Sequence, residues 1–177
     1  MRVPEFPTSA TPLPPGGTPL HTNELTLTTP VGPLTLVAER GALVAIRFGA
    51  GGPTAVPDTI LAQAARELEE YFAGDRTRFT VPLRFPPGIS PFRLRVWEAL
   101  GGIPYGAVRT YGELARALGT SPRAVGGACR ANPLPIVVPC HRVVARSGLG
   151  GYAGDWERGA AGSVKRLLLE LEARSRG

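Results

Sequence analysis

The chain has 177 residues, 43% of them apolar, and a formal net charge of +6; this suits one ordinary domain or two small ones with enough apolar side chains for a core. No apolar run approaches the length that spans a bilayer, and the first residues lack the basic and apolar regions of a secretory signal, so a soluble, cytoplasmic protein with no membrane contact is expected. The charge is uneven: residues 1–89 hold 7 Lys or Arg against 8 Asp or Glu, whereas residues 90–177 hold 13 against 6.

Residues 1–22, rich in Pro, Gly and Thr without apolar periodicity, read as a flexible tail. Short β-rich runs at 25–28, 34–37 and 43–48, separated by Pro-Val-Gly-Pro and Glu-Arg-Gly turns, predict a small antiparallel meander. Residues 58–72 carry Ile60, Leu61, Ala64, Leu68 and Tyr71 at helical spacing, and Gly74 stops that helix. Residues 78–83 are then expected to add an edge strand. Pro86-Pro87-Gly88 reads as a linker, which gives an α+β domain over 23–87 and a second domain over 88–177.

In the second half Ser90-Pro91 opens a helix with Phe92, Val96, Trp97 and Leu100 on one side. Thr110 and Glu113 form a capping box for a helix that ends at Gly119, and Ser121-Pro122 caps another that must stop before Asn132-Pro133. Two short capped helices joined at Gly119-Thr120 predict a helix-turn-helix. Between Ala99 and Arg146 stand six arginines and one acid, Glu113, a density suited to tracking phosphates, so DNA is the expected partner. Gly126 and Gly127 weaken a helix, and a small-residue face there permits close approach either to a second helix or to DNA. Residues 164–174 read as a terminal amphipathic helix.

Pro139-Cys140-His141-Arg142 sets a nucleophile beside a base. A thiol reacts as its thiolate, and a neighbouring imidazole or cation favours that form; a small buried residue next to a histidine is the alternative. Cys129 is the second of the two cysteines. Their spacing leaves a disulfide open, although cytosolic thiols are normally reduced. The only histidines are His21 and His141 and no Cys-x-x-Cys is present, so no metal site is expected.

The gapless run 132–144, together with 123–130, resembles the active-site segment of the O6-alkylguanine-DNA alkyltransferases, and the resemblance extends over about residues 90–172. It implies an α+β fold with a small N-terminal sheet-and-helix unit, ribonuclease-H-like, followed by a winged helix-turn-helix-like domain. The implied reaction moves an alkyl group from O6 of guanine in double-stranded DNA, and less efficiently from O4 of thymine, to Cys140. It needs no cofactor and no obligate protein partner, and each monomer acts once. A cysteine hydrolase, the alternative enzyme, would turn over repeatedly.

The resemblance also implies roles for residues. Glu172 orients His141, which takes the thiol proton through a water; helical phasing alone does not separate Glu170 from Glu172. Tyr111 crowds the target phosphate and donates to the leaving base, its alternative being a core-edge tyrosine. Asn132 ties the preceding helix to the active-site turn, although Asn-Pro is also a plain helix stop. Arg123 enters the base stack in place of the flipped nucleotide, or else contacts phosphate like an ordinary helix arginine. Gly126 and Gly127 let the helix lie in the minor groove; Arg116 and Arg130, on their charge rather than the resemblance, are expected to meet phosphates. Val143, Tyr152, Ala153, Trp156 and Lys165 line the alkyl pocket. The 153–164 loop is longer than in many relatives, and Ala153 stands where some of them have serine.

Overall fold

A computed structural model describes residues 22–52, 58–150 and 160–174; the expected tail, Thr22 apart, lies outside them. The meander is a three-stranded antiparallel sheet in the order β1 (Asn23–Thr29), β2 (Gly32–Glu39), β3 (Ala42–Phe48). Its register sets Leu25 opposite Leu36 and Leu36 opposite Ile46, so apolar side chains meet across the strands. The central strand is buried from Leu34 to Ala38.

Helix α1 (Thr59–Ala73) starts at Asp58, whose carboxylate accepts from the Ile60 and Leu61 N–H groups, and ends at Gly74 in the left-handed conformation. Leu61, Ala64, Leu68 and Tyr71 form its buried stripe against the sheet. The strand expected over 78–83 does not form. Leu83 makes only an isolated parallel bridge to Leu43, and the Thr80 and Val81 N–H groups donate to the buried Glu67 carboxylate. That carboxylate satisfies the donors a ladder would otherwise use.

Helix α2 (Pro91–Gly101) is capped by Ser90. Strand β4 (Arg109–Thr110) leads into α3 (Tyr111–Ala117), whose capping box between Thr110 and Glu113 is complete in both directions. Helix α4 (Pro122–Arg130) follows with Ser121 as N-cap and packs against α3. A 3-10 turn, Cys140–Arg142, runs into β5 (Val143–Val144), which pairs in parallel with β4. The last helix, α5 (Ala160–Arg174), begins at Ala160 rather than Val164, because its first turn is built from small residues that carry no apolar signal.

The fold is therefore α+β, a small sheet with its helix followed by a helical unit. Leu36, Leu43 and Leu68 from the first half and Trp97, Leu134 and Leu168 from the second belong to one buried cluster. Each such leucine contributes about 1.5–3 kcal/mol through burial. The Ile46 N–H donates to Pro133 O at 2.9 Å, and the Phe85 and Trp97 rings lie 4.8 Å apart across the Pro86-Pro87-Gly88 turn. Among the described residues no helix is long and apolar enough to cross a membrane.

Candidate active site

Asn132 organises the turn that carries Cys140. Its carbonyl oxygen accepts from the Leu134 N–H at 3.0 Å, while its amide donates to Val138 O at 2.8 Å and to Cys140 Sγ at 3.3 Å. The end of α4 is thereby tied to both sides of the turn. Every residue from Leu134 to Val143 is buried. Ile136, in the middle, has φ 75°, a left-handed backbone that a β-branched residue rarely adopts and that costs about 1–3 kcal/mol. Burial and the Asn132 bonds hold it there.

Trp97 supports the same junction. Its Nε1–H donates to Ala128 O at 2.9 Å. That carbonyl would ordinarily accept the Asn132 N–H in a continuing helix, but this N–H turns to Cys129 O instead.

Behind Cys140 lies a fully buried polar cluster centred on Glu172 of α5. Its Oε1 is 2.7 Å from His141 Nε2 and accepts from Tyr71 Oη at 2.8 Å. The Arg142 guanidinium donates to both carboxylate oxygens at 3.0–3.2 Å and to Ile103 O at 2.7 Å. The Gly106 N–H reaches Oε2 at 2.9 Å. Gly106 has φ 71° and sits at the third position of a turn closed by the Ala107 N–H on Pro104 O, where a residue with a side chain would be strained.

Charge bookkeeping in this cluster decides the protonation states. Burial alone pushes the Glu172 carboxyl up, but the bonds and charges of His141 and Arg142 outweigh it and hold the group at about 2. Arg142 already neutralises that carboxylate, so a proton on His141 would leave a net positive charge in the interior. Burial accordingly holds His141 below its ordinary value, against the upward pull of Glu172. A carboxylate only accepts, so Nε2 carries the hydrogen and Nδ1 is the free base. Nδ1 is buried and has no hydrogen-bond partner among the protein atoms.

Lys165, also buried, donates to Val143 O at 2.6 Å and lies 5.7 Å from the centre of the Tyr111 ring. Burial lowers its ammonium to about 8, opposed by the Cys140 and Cys129 sulfurs. Burial, followed by those same sulfurs, raises the Tyr111 hydroxyl well above its ordinary value, so it stays a hydrogen-bond donor. Gly150 closes on the same ring: a Cβ there would come within 3.1 Å of Tyr111 Cε2. Cys129 is pushed up to about 12, first by burial and then by Cys140. Neither cysteine is in a disulfide, so the bond left open by their spacing does not form.

The structure thus brings Cys140, His141, Asn132, Tyr111, Val143, Lys165 and Glu172 into one neighbourhood. It also selects between the two acids, since Glu172 is buried while Glu170 is exposed and pairs with Arg174 at 4.0 Å. Tyr152, Ala153 and Trp156 lie outside the described residues. Arg116, Arg123 and Arg130 are exposed, Arg123 in the first turn of α4. A Cβ at Gly126 would lie 4.0 Å from Tyr111 Cε1, an ordinary contact, and one at Gly127 would meet open space, so packing inside the chain does not require a glycine at either position. One arginine departs from the expected basic surface: Arg142 is 6% exposed and spent on Glu172.

Sequence reading missed Tyr71, Arg142 and Gly106. Tyr71 sat on an apolar helical stripe and read as core. Arg142, a charge inside a run that must be buried, was a signal without a partner. Nothing in Pro104-Tyr105-Gly106 named a carboxylate 66 residues away.

Two family models match the chain: the ribonuclease-like domain of 6-O-methylguanine DNA methyltransferase over residues 24–85, and the DNA-binding domain of 6-O-methylguanine DNA methyltransferase over 91–174. A methylated-DNA–protein-cysteine methyltransferase of Metallosphaera sedula is 42% identical over 83% of this chain and 90% of that protein. One of Archaeoglobus fulgidus is 48% identical over 61% of this chain and 72% of that protein. The crystal structure of Mycobacterium tuberculosis O6-methylguanine methyltransferase superposes with a TM-score of 0.75 at 39% identity, covering 88% of this chain and 94% of the other. The crystal structure of Mycobacterium tuberculosis OGT in complex with DNA gives 0.72 at 40% identity, covering 85% and 92%.

Proposed function

This chain belongs to the methylated-DNA–protein-cysteine methyltransferase family of DNA-binding repair proteins, and we propose that Cys140 is its alkyl acceptor. The observation that carries this reading is the buried His141, next to Cys140 in the same 3-10 turn, whose Nε2 lies 2.7 Å from Glu172 Oε1 and whose Nδ1 meets no protein partner. His141 Nδ1 takes the thiol proton through a water. The Cys140 sulfur then attacks the alkyl carbon of O6-alkylguanine in one displacement: the S–C bond forms as the C–O6 bond breaks, and its electron pair passes to the purine. Tyr111 donates a hydrogen bond to the base as that charge develops. Lys165 holds Val143 O and, with the ring of Tyr111, forms a wall of the pocket.

The S-alkyl product is a thioether, which thiol exchange does not reverse, so each molecule acts once and needs no cofactor. O4-alkylthymine is a poorer substrate of the same site. Because the O6 atom lies inside the stacked duplex, the nucleotide rotates out, and Arg123 fills the gap it leaves. Helix α4 lies in the minor groove, where the bare surface at Gly126 and Gly127 allows close approach, and Arg116 and Arg130 meet phosphates. Readout of shape and backbone there suits lesions in any sequence context. The protein acts as a monomer in the cytoplasm, where its thiols stay reduced. In the domain division that serves this reaction, 88–177 binds DNA and accepts the alkyl group, while 23–87 supports it.

Intact-mass and peptide mass spectrometry after incubation with a duplex holding one O6-methylguanine tests the reading. The expected result is one methyl per protein, on the Cys140 peptide, absent in Cys140→Ser. Methyl on Cys129, or repeated release of product by one molecule, overturns it.

A further inference from the structure

We propose that Tyr71, carried by α1 of the N-terminal unit, is a positioning residue for alkyl transfer: its hydroxyl donates to the Glu172 oxygen that holds His141, and thereby sets the imidazole's orientation and basicity. The inference rests on the reading of His141 as the base that serves Cys140.

The geometry is specific. Tyr71 is fully buried, its Oη is 2.8 Å from Glu172 Oε1 and 3.5 Å from His141 Nε2, and that same oxygen is 2.7 Å from Nε2. The ring is held by Phe72, Phe79 and Tyr105, at centroid distances of 5.4, 5.5 and 5.8 Å, so the hydroxyl has one direction to point. A phenylalanine would fill that apolar cage equally well. Only the hydroxyl needs the polar cluster.

The groups facing His141 come from three elements: Glu172 and Lys165 from α5, Arg142 from its own turn, and Tyr71 from α1. Arg142 cancels the Glu172 charge, and Lys165 opposes protonation of the imidazole. Tyr71 contributes a dipole rather than a charge. Burial and then the Glu172 charge push its hydroxyl far above the ordinary value, so it donates at every working pH. Its donation draws electron density from Oε1 and weakens the hold of that oxygen on an imidazolium. Without the hydroxyl, Glu172 faces His141 with one donor fewer, protonated His141 is better stabilised, and the free base is lost at a higher pH.

The test uses the full chain with Tyr71→Phe. The titration of His141 is followed by imidazole nitrogen NMR, with His21 as the one other histidine, and single-turnover transfer is measured against pH. The expected outcome is that the His141 midpoint and the acid limb of the rate profile rise together, by about one pH unit, the scale of one hydrogen bond to a charged group. A second variant, 3-fluorotyrosine at position 71, keeps the shape and donates more strongly, so both readouts move to lower pH. If both stay at their wild-type positions in the folded variants, whatever the melting temperature, Tyr71 is only a core residue and the proposal is overturned. Failure of Cys140 as the acceptor shows separately, in the mass of the wild-type protein, and leaves the His141 titration as a valid test.

Discussion

The cluster around Glu172 and the outer face of α3 and α4 are both rich in arginine chemistry and use it in opposite ways. Arg142 has its donors committed to Glu172 and Ile103 O, and is closed off from water. Arg116, Arg123 and Arg130 stand exposed on the helices that precede it. Inside, a charge is tolerated only when geometry satisfies it completely, so the cluster is bound up with folding. On the face, the charges reach solvent, which screens them, so the arginines contribute little to the fold.

This contrast is sharpest for Glu172→Gln. The amide cannot accept as the carboxylate does, and Arg142 becomes an uncompensated buried cation, a loss of about 3–5 kcal/mol in urea unfolding, with transfer falling by orders of magnitude. Acid should reproduce part of this in the wild type. The folded carboxyl sits at about 2 against an ordinary 4.5, so the stability it contributes is complete above 4.5 and is lost as the pH falls through that window toward 2. Unfolding free energies that stay flat over this range would break the comparison.

A smaller effect is expected at the junction of the two regions. Trp97→Phe removes the donor to Ala128 O at the end of α4 and leaves a buried carbonyl unpaired, costing about 1–3 kcal/mol. The same change loosens the anchor of Asn132, so transfer slows in step with stability. A stable variant with normal transfer would show that the indole N–H is dispensable.

The smallest effect on the fold is expected on the exposed face. Arg123→Ala should alter stability by no more than about 0.5 kcal/mol, yet, under the proposal that it fills the gap left by the flipped nucleotide, reduce repair of a duplex far more than reaction with the free O6-alkylguanine base. Equal losses on both substrates would place its function in the chemistry and erase the distinction drawn here.

Local chemistry was legible in the chain. Ser90, Thr110 with Glu113, and Ser121 predicted helix starts that the caps occupy, because capping is a matter of a few adjacent residues. Alternating apolar runs predicted the meander for the same reason, and Asn132, Cys140 and His141, singled out from the chain, come together at one turn. The exception over 78–83 is instructive: those residues resemble a strand, and the Glu67 carboxylate, which no local pattern announces, captured their donors.

What only tertiary structure decided was the ownership of long-range polar bonds. Helical phasing left Glu170 and Glu172 equivalent until packing of α5 buried one and exposed the other. Arg142 counted toward a basic surface until the fold turned it inward, and Tyr71 counted as core until its hydroxyl met a carboxylate 101 residues away. Periodicity records which face of an element avoids water, a property of neighbouring residues. Which donor meets which acceptor inside depends on how separate elements are set against one another, and that is determined only when the whole chain has packed.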